Sequence, residues 1–135
     1  AHFTHSQIGK AQRKRVYKFL TPLLKRNKSI LEVNCGTGED AIYFSSFDKK
    51  ILATDISSQM IEVAKSKTNT KQIDFRICNA TNIDSLNGTF DIIFSNFGGL
   101  NCLDKNDLSL FASVAEKKLT KKGLMVLVFT NSSRP

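Results

Sequence analysis

A chain of 135 residues with 41% hydrophobic content supports a single core. Lys and Arg number 20 against 12 Asp and Glu, a formal net charge of +8, and Lys10, Arg13, Lys14, Arg15, Lys18, Lys25, Arg26 and Lys28 all precede the first acid, Glu32, so the excess belongs to the N-terminal segment. No apolar stretch approaches the ~20 residues of a membrane span, and Cys35, Cys78 and Cys102 form neither a disulfide framework nor a zinc pattern, which sets aside membrane-embedded, disulfide-scaffold and metal-site classes and leaves a cytoplasmic domain with no metal as the expectation.

Residues 1–28 read as a basic helical segment, separate from a domain at 29–135. Val16, Phe19, Leu20 and Leu23 make an apolar stripe, and Thr21-Pro22 restarts the helix with Pro in its first turn. This segment reads either as a solvated helix packed on the domain or as a basic face for an acidic substrate or nucleic acid. No aromatic-interleaved or helix-turn-helix pattern supports nucleic acid.

From Ser29 to Asp40 a short apolar strand meets a small-residue turn, and Glu39-Asp40-Ala41-Ile42-Tyr43-Phe44 then begins a helical pattern. Strand, glycine turn and helix make a nucleotide-binding corner, because glycines let the backbone turn tightly and approach a ligand closely. Glu32, Glu39, Asp40 and Asp55 surround that turn. An anionic pyrophosphate would face several carboxylates there, whereas a ligand with a cationic centre and a ribose would not. Lys50 to Asp55 reads as a buried strand ending in a carboxylate. An amphipathic helix follows over Ile56 to Lys65, with Ser57 as N-cap and Met60, Ile61 and Ala64 on one face.

Gln72 to Ala80 reads as the third strand and Phe90 to Gly99 as the fourth with its exit loop. Ser95 to Gly99 then line the cleft at the strand's carboxyl end, where open α/β sheets bind ligands. Leu108, Phe111, Ala112, Ala115 and Leu119 have helix spacing, with Asp104 as cap and Lys117-Lys118 at the negative end. Lys121-Lys122-Gly123 reads as a turn. Leu124 to Phe129 is a continuous apolar run that suits a strand buried on both faces. The order is a helix and then five strands alternating with helices or loops, an α/β doubly wound parallel sheet.

The run Glu32-Val33-Asn34-Cys35-Gly36-Thr37-Gly38 resembles the first motif of class I S-adenosylmethionine-dependent methyltransferases, with Asn34 in place of the first glycine. Asn tolerates a left-handed backbone better than most residues. The resemblance implies a Rossmann-like sheet of order 3-2-1-4-5, S-adenosyl-L-methionine as cofactor, and direct in-line methyl transfer with no dedicated catalytic residue. It also implies that Asp55 accepts from both ribose hydroxyls, which a carboxylate's two oxygens suit, and that Ile56 packs on the adenine. Asn79-Ala80 stands where the family commonly has Asp-Ala, so the Asn79 carbonyl takes the contact to the adenine amino group. The implied cofactor-binding set is Glu32, Asn34, Gly36, Gly38, Asp55, Ile56, Met60, Asn79, Ala80, Ser95 and Asn96.

Two flanking segments, His5 to Arg13 and Ser95 to Cys102, are similar to a bacterial branch of small methyltransferases. In methyltransferases generally, residues before the first strand fold over the cofactor as a lid. Phe3, Thr4 and His5 take that place here, with Lys10 or Arg13 pairing the methionine carboxylate. His5 is the one nearby general-base candidate, and His2 and His5 read equally as exposed polar residues. A small-molecule acceptor is expected ahead of a macromolecule.

Two other classes stay open. Gly36-Thr37-Gly38-Glu39-Asp40-Ala41 fits G-x-G-x-x-A, with Asp55 for a ribose, the pattern of an NAD(P)-dependent oxidoreductase. A non-catalytic cofactor-binding module is the other. The family's sheet closes with two more strands after the fifth, and this chain stops at Pro135. The expectation is therefore a piece of a longer protein that binds cofactor without turning over an acceptor. Leu124 to Phe129 would be an edge able to pair with a second copy.

Overall fold

In the computed structural model, residues 7–24, 29–96 and 104–128 are described, with side chains from residue 13 onward. In chain order the elements are α1 (Gln7–Leu24), β1 (Ser29–Val33), α2 (Glu39–Ser45), β2 (Lys50–Asp55), α3 (Ser58–Ser66), β3 (Ile73–Ile77), a 3-10 helix (Ala80–Ser85), β4 (Phe90–Ser95), α4 (Lys105–Lys117) and β5 (Leu119–Leu127). The strands form one sheet of order β3-β2-β1-β4-β5. Every pair is parallel, with Leu31 opposite Leu52 and Ile93, and Ala53 opposite Phe75. This is the doubly wound sheet that the alternating strand and helix patterns predict, in the order that the resemblance implies.

Strand alternation divides the core into two layers. Ile30, Ile92 and Phe94 face α1, α2 and α3, where Leu20, Leu24, Phe44, Ile61 and Ala64 pack. Leu31, Val33 and Ile93 face the other side, against Ile83 and Leu86 at the 3-10 helix and Phe111 and Ala115 of α4. Glu32 has the parity of Ile30, so its carboxyl points into the first layer, beneath α1 and α2.

The predicted caps form. Ser57 Oγ accepts from the Met60 N–H at 3.2 Å, and Asp104 Oδ1 accepts from the Asp107 N–H at 2.8 Å. Ile61 and Ala64 are buried as predicted, whereas Met60, on the same predicted face, is 36% exposed. Asp91, the second residue of β4, lies at the far end of the sheet from the glycine turn. Its carboxylate accepts from the Ser29 N–H at 3.2 Å and the Thr120 hydroxyl at 2.9 Å, stitching β1, β4 and β5. Among the described residues no helix is long and apolar enough to cross a membrane.

Five details correct the sequence reading. β5 begins at Leu119, so Lys121-Lys122-Gly123 is strand rather than turn. A register shift between Phe90 and Ile92 absorbs the extra residues, and Gly123 is needed there, because a Cβ would come within 3.0 Å of the Phe90 carbonyl oxygen. β5 is also not buried on both faces: it is the edge strand of the described sheet, and Leu124 is exposed. The third strand stops at Ile77, because Asn79 caps the 3-10 helix instead of continuing it.

Finally, Pro22 does not restart a helix. It sits inside α1, within three residues of its end, where the lost amide removes a single internal bond. The apolar stripe of α1 shifts as well: Leu20 and Leu24 are buried, and Phe19 is 62% exposed.

Candidate functional site

The carboxyl ends of β1, β2 and β4 meet at the turn between Val33 and Glu39. Asn34 takes φ 59°, the left-handed backbone that its type tolerates, and Gly36 and Gly38 have φ 58° and 88°. The two glycines do different work. A Cβ at Gly38 would lie 3.1 Å from the Ala64 Cβ and 3.2 Å from the Phe75 ring, so this glycine lets the turn close onto α3 and β3. At Gly36 a Cβ would meet nothing within 4 Å, so the backbone there borders open space.

Asp55 ends β2 beside that space. Its Oδ2 accepts from the Gly36 N–H at 2.8 Å and its Oδ1 from the Ser57 N–H at 2.9 Å, which ties the glycine turn to the start of α3. The next residue, Ile56, is 61% exposed, an apolar side chain presented at the strand end. The Cys78 N–H donates to the Asp55 carbonyl at 3.0 Å, which brings Asn79 and buried Ala80 to the same edge. The Asn79 side-chain Oδ1 already accepts from the Thr81 N–H and hydroxyl, both at 3.0 Å.

Beneath the turn lies a buried polar cluster. Glu32 is 1% exposed, and its Oε1 has no hydrogen-bond partner among the described residues. Burial pushes its carboxyl well above the usual carboxylate range. The charge of Asp40 adds to this, Arg13 opposes it, and Glu39 and Asp55 raise it further. Asp40, also buried, stands in the first turn of α2. Its Oδ1 accepts from Arg13 Nε at 2.8 Å and from the Tyr17 hydroxyl, and its Oδ2 accepts from Asn96 Nδ2 at 3.3 Å.

Tyr17 stacks on Tyr43 with centroids 3.9 Å apart and an interplanar angle of 4°. The Tyr17 hydroxyl is held protonated by burial and then by the Asp40 charge. On the turn's outer side, Lys67 and the Thr37 hydroxyl bind the Glu39 carboxylate. Burial acts to raise the Glu39 pKa, but those hydrogen bonds outweigh it and lower it.

The fold thus gathers Glu32, Asn34, Gly36, Gly38, Asp55, Ile56, Asn79, Ala80 and Asn96 along one edge. Met60 lies a turn further along α3, half-exposed. Ser95 is buried, its hydroxyl without a partner among the described residues, and by strand alternation it faces the α4 layer rather than Glu32. Cys35 is buried in the turn, and burial raises its thiol pKa first, followed by the charges of Glu32 and Asp55, which keeps it an inert packing residue. Arg13, expected to pair a ligand carboxylate, is bound to Asp40. Phe3, Thr4, His5, Gly98 and Gly99 lie outside the described residues, as does the side chain of Lys10.

Sequence placed Asp40 among the carboxylates around the turn but did not single out Tyr17 or pair the two. The signal was present: Arg13, Tyr17, Leu20 and Leu24 recur at helical spacing on one face of α1.

The sequence profile of the methyltransferase domain matches residues 30–123. Ribosomal protein L11 methyltransferase of Thermotoga maritima is 33% identical over 79 residues, covering 58% of this chain and 30% of that protein. Malonyl-[acyl-carrier protein] O-methyltransferase of Bacillus anthracis is 35% identical over 120 residues, covering 82% of this chain and 44% of that protein. The crystal structure of the PH0226 protein from Pyrococcus horikoshii superposes with a TM-score of 0.81 at 19% identity, over 94% of this chain and 60% of that one. The chain spans less than half the length of these two curated relatives.

Proposed function

The chain belongs to the class I S-adenosylmethionine-dependent methyltransferases, and from that premise we propose that it binds S-adenosyl-L-methionine at the glycine turn and serves methyl transfer from it. One observation carries the assignment: a carboxylate, Asp55, fixed against the open-faced amide of Gly36, with the exposed Ile56 directly beyond it. A ribose diol needs a paired acceptor, and each Asp55 oxygen has a second lone pair beyond the backbone N–H that it already binds. An adenine needs a flat apolar rest, which Ile56 offers.

The remaining charges suit the same ligand. The turn is lined with carboxylates, which disfavour a pyrophosphate at the start of α2. Glu32 supplies an unpartnered buried oxygen toward an ammonium or sulfonium group. When bound, S-adenosylmethionine supplies an electrophilic methyl group. The chain's own part is to hold the adenosine through Asp55 and Ile56, to shape the backbone through Asn34, Gly36 and Gly38, and to keep water from the corner. One relative is named for a malonyl group on a carrier protein, and a small organic acceptor group is the reading that it favours. The basic segment 1–28 is proposed as a unit that packs on the domain and borders the site through Arg13 and Tyr17.

Calorimetric titration with S-adenosylmethionine, S-adenosylhomocysteine and NAD tests the assignment. The first two are expected to bind one per chain and NAD not to bind. NAD binding more tightly than S-adenosylhomocysteine would overturn it.

A further inference from the structure

Asp40 joins three elements that are distant in sequence: α1 through Arg13 and Tyr17, α2 through its own backbone, and the end of β4 through Asn96. α2 has seven residues and begins directly at Gly38, so whatever fixes its first turn also fixes the glycine turn. The Tyr17–Tyr43 stack and the 3.4 Å contact between the Thr21 and Tyr43 hydroxyls hold α1 in register above it.

We propose that Arg13 and Tyr17 are positioning residues that act through Asp40, clasping the start of α2 to the exit of β4 and so setting the shape of the glycine turn. The consequence for ligand affinity rests on the cofactor reading above; the clasp itself does not. α1 on this view is a fixed wall of the site. Its Arg13 Nε and Tyr17 hydroxyl occupy one oxygen of Asp40, and Asn96 takes the other. A buried carboxylate that loses one of these donors recovers no water in exchange, so its side chain re-seeks a partner and α2 shifts with it.

Tyr17→Phe is the discriminating variant, because it keeps the ring stack and removes only the hydroxyl. Amide hydrogen exchange on the unliganded protein is expected to rise about fivefold or more over 34–40 and at Asn96, with α1 unchanged. S-adenosylhomocysteine affinity should fall roughly 3- to 10-fold. Arg13→Gln should act in the same direction, and Arg76→Ala, which removes an exposed ion pair with Asp74 on β3, should change neither readout. Exchange in Tyr17→Phe that rises only within α1, or that does not rise at all, overturns the clasp. A wild-type chain that fails to bind S-adenosylhomocysteine overturns the cofactor reading instead, and the exchange at 34–40 then decides the clasp alone.

Discussion

Asp55 is engaged before any ligand arrives, since both of its oxygens already accept backbone N–H groups. Asp55→Ala should therefore lose stability as well as affinity, and the two must be separated. Ser57→Ala provides the comparison: it removes the side-chain cap of α3, at a cost of about 1 kcal/mol in stability, without touching the proposed ribose acceptor. Asp55→Ala is expected to weaken S-adenosylhomocysteine binding by about 1.5–3 kcal/mol, while Ser57→Ala leaves it nearly unchanged. Equal affinities in the two variants would remove Asp55 from the ligand. Asp55 was legible in the sequence because a strand-end acid roughly 20 residues after a glycine turn has few other uses. Asn34 was legible because a non-glycine at a turn glycine's place must be a residue that tolerates positive φ. The pairing of Asp40 with Arg13, Tyr17 and Asn96 was not, since these partners are 23 to 56 residues away and no local pattern joins them to it.

At the scale of elements, the turn between β1 and α2 divides its labour between two glycines, and substitution separates folding from binding. Gly38→Ala puts a methyl within 3.2 Å of both Ala64 and Phe75 at φ 88°. It should cost roughly 2–4 kcal/mol through overpacking and strain together, readable as a lowered denaturant midpoint. Gly36→Ala meets nothing within 4 Å among the described residues, so only the left-handed backbone counts against it, about 1 kcal/mol. Its methyl nevertheless enters the space proposed for the ligand, so affinity should drop by tenfold or more while the midpoint barely moves. The reverse ranking would mean that the ligand does not sit against Gly36. Elements carried by periodicity were legible, including all five strands, whereas their order came from the family resemblance. The start of β5 was misread because Gly123 signals a turn locally, and its need for close approach to Phe90 appears only once β4 lies alongside. The helix break at Pro22 failed for a related reason: so near the end of α1, tertiary packing of Leu20 and Leu24 outweighs one lost hydrogen bond.

For the whole molecule, the buried cluster makes stability and ligand binding depend on pH in a defined direction. Burial and the Asp40 charge raise the folded-state pKa of Glu32 above its unfolded value, with Arg13 opposing. Between those two values the folded chain holds a proton that the unfolded chain has released. Stability from this group is therefore complete below the unfolded pKa and is lost as pH rises through the folded one. Glu39 runs oppositely: its pKa is lowered, so its contribution is lost as pH falls through the carboxylate range, and it does not confound measurements from mild acid upward. Glu32→Gln removes the titration while keeping the shape. Its melting temperature should hold steady across the window in which the wild type's declines, leaving the variant the more stable protein at the alkaline end. Binding should show the other side of the same linkage. A cation placed beside Glu32 favours the carboxylate, so S-adenosylmethionine should release a proton on binding to the wild type, and its heat should vary with the ionisation enthalpy of the buffer. In Glu32→Gln that buffer dependence should vanish and affinity should fall, giving a variant stabilised at the expense of its site. Parallel melting curves for the two proteins across the whole window would show that Glu32 is ionised in the unliganded fold, and the proton linkage would be withdrawn.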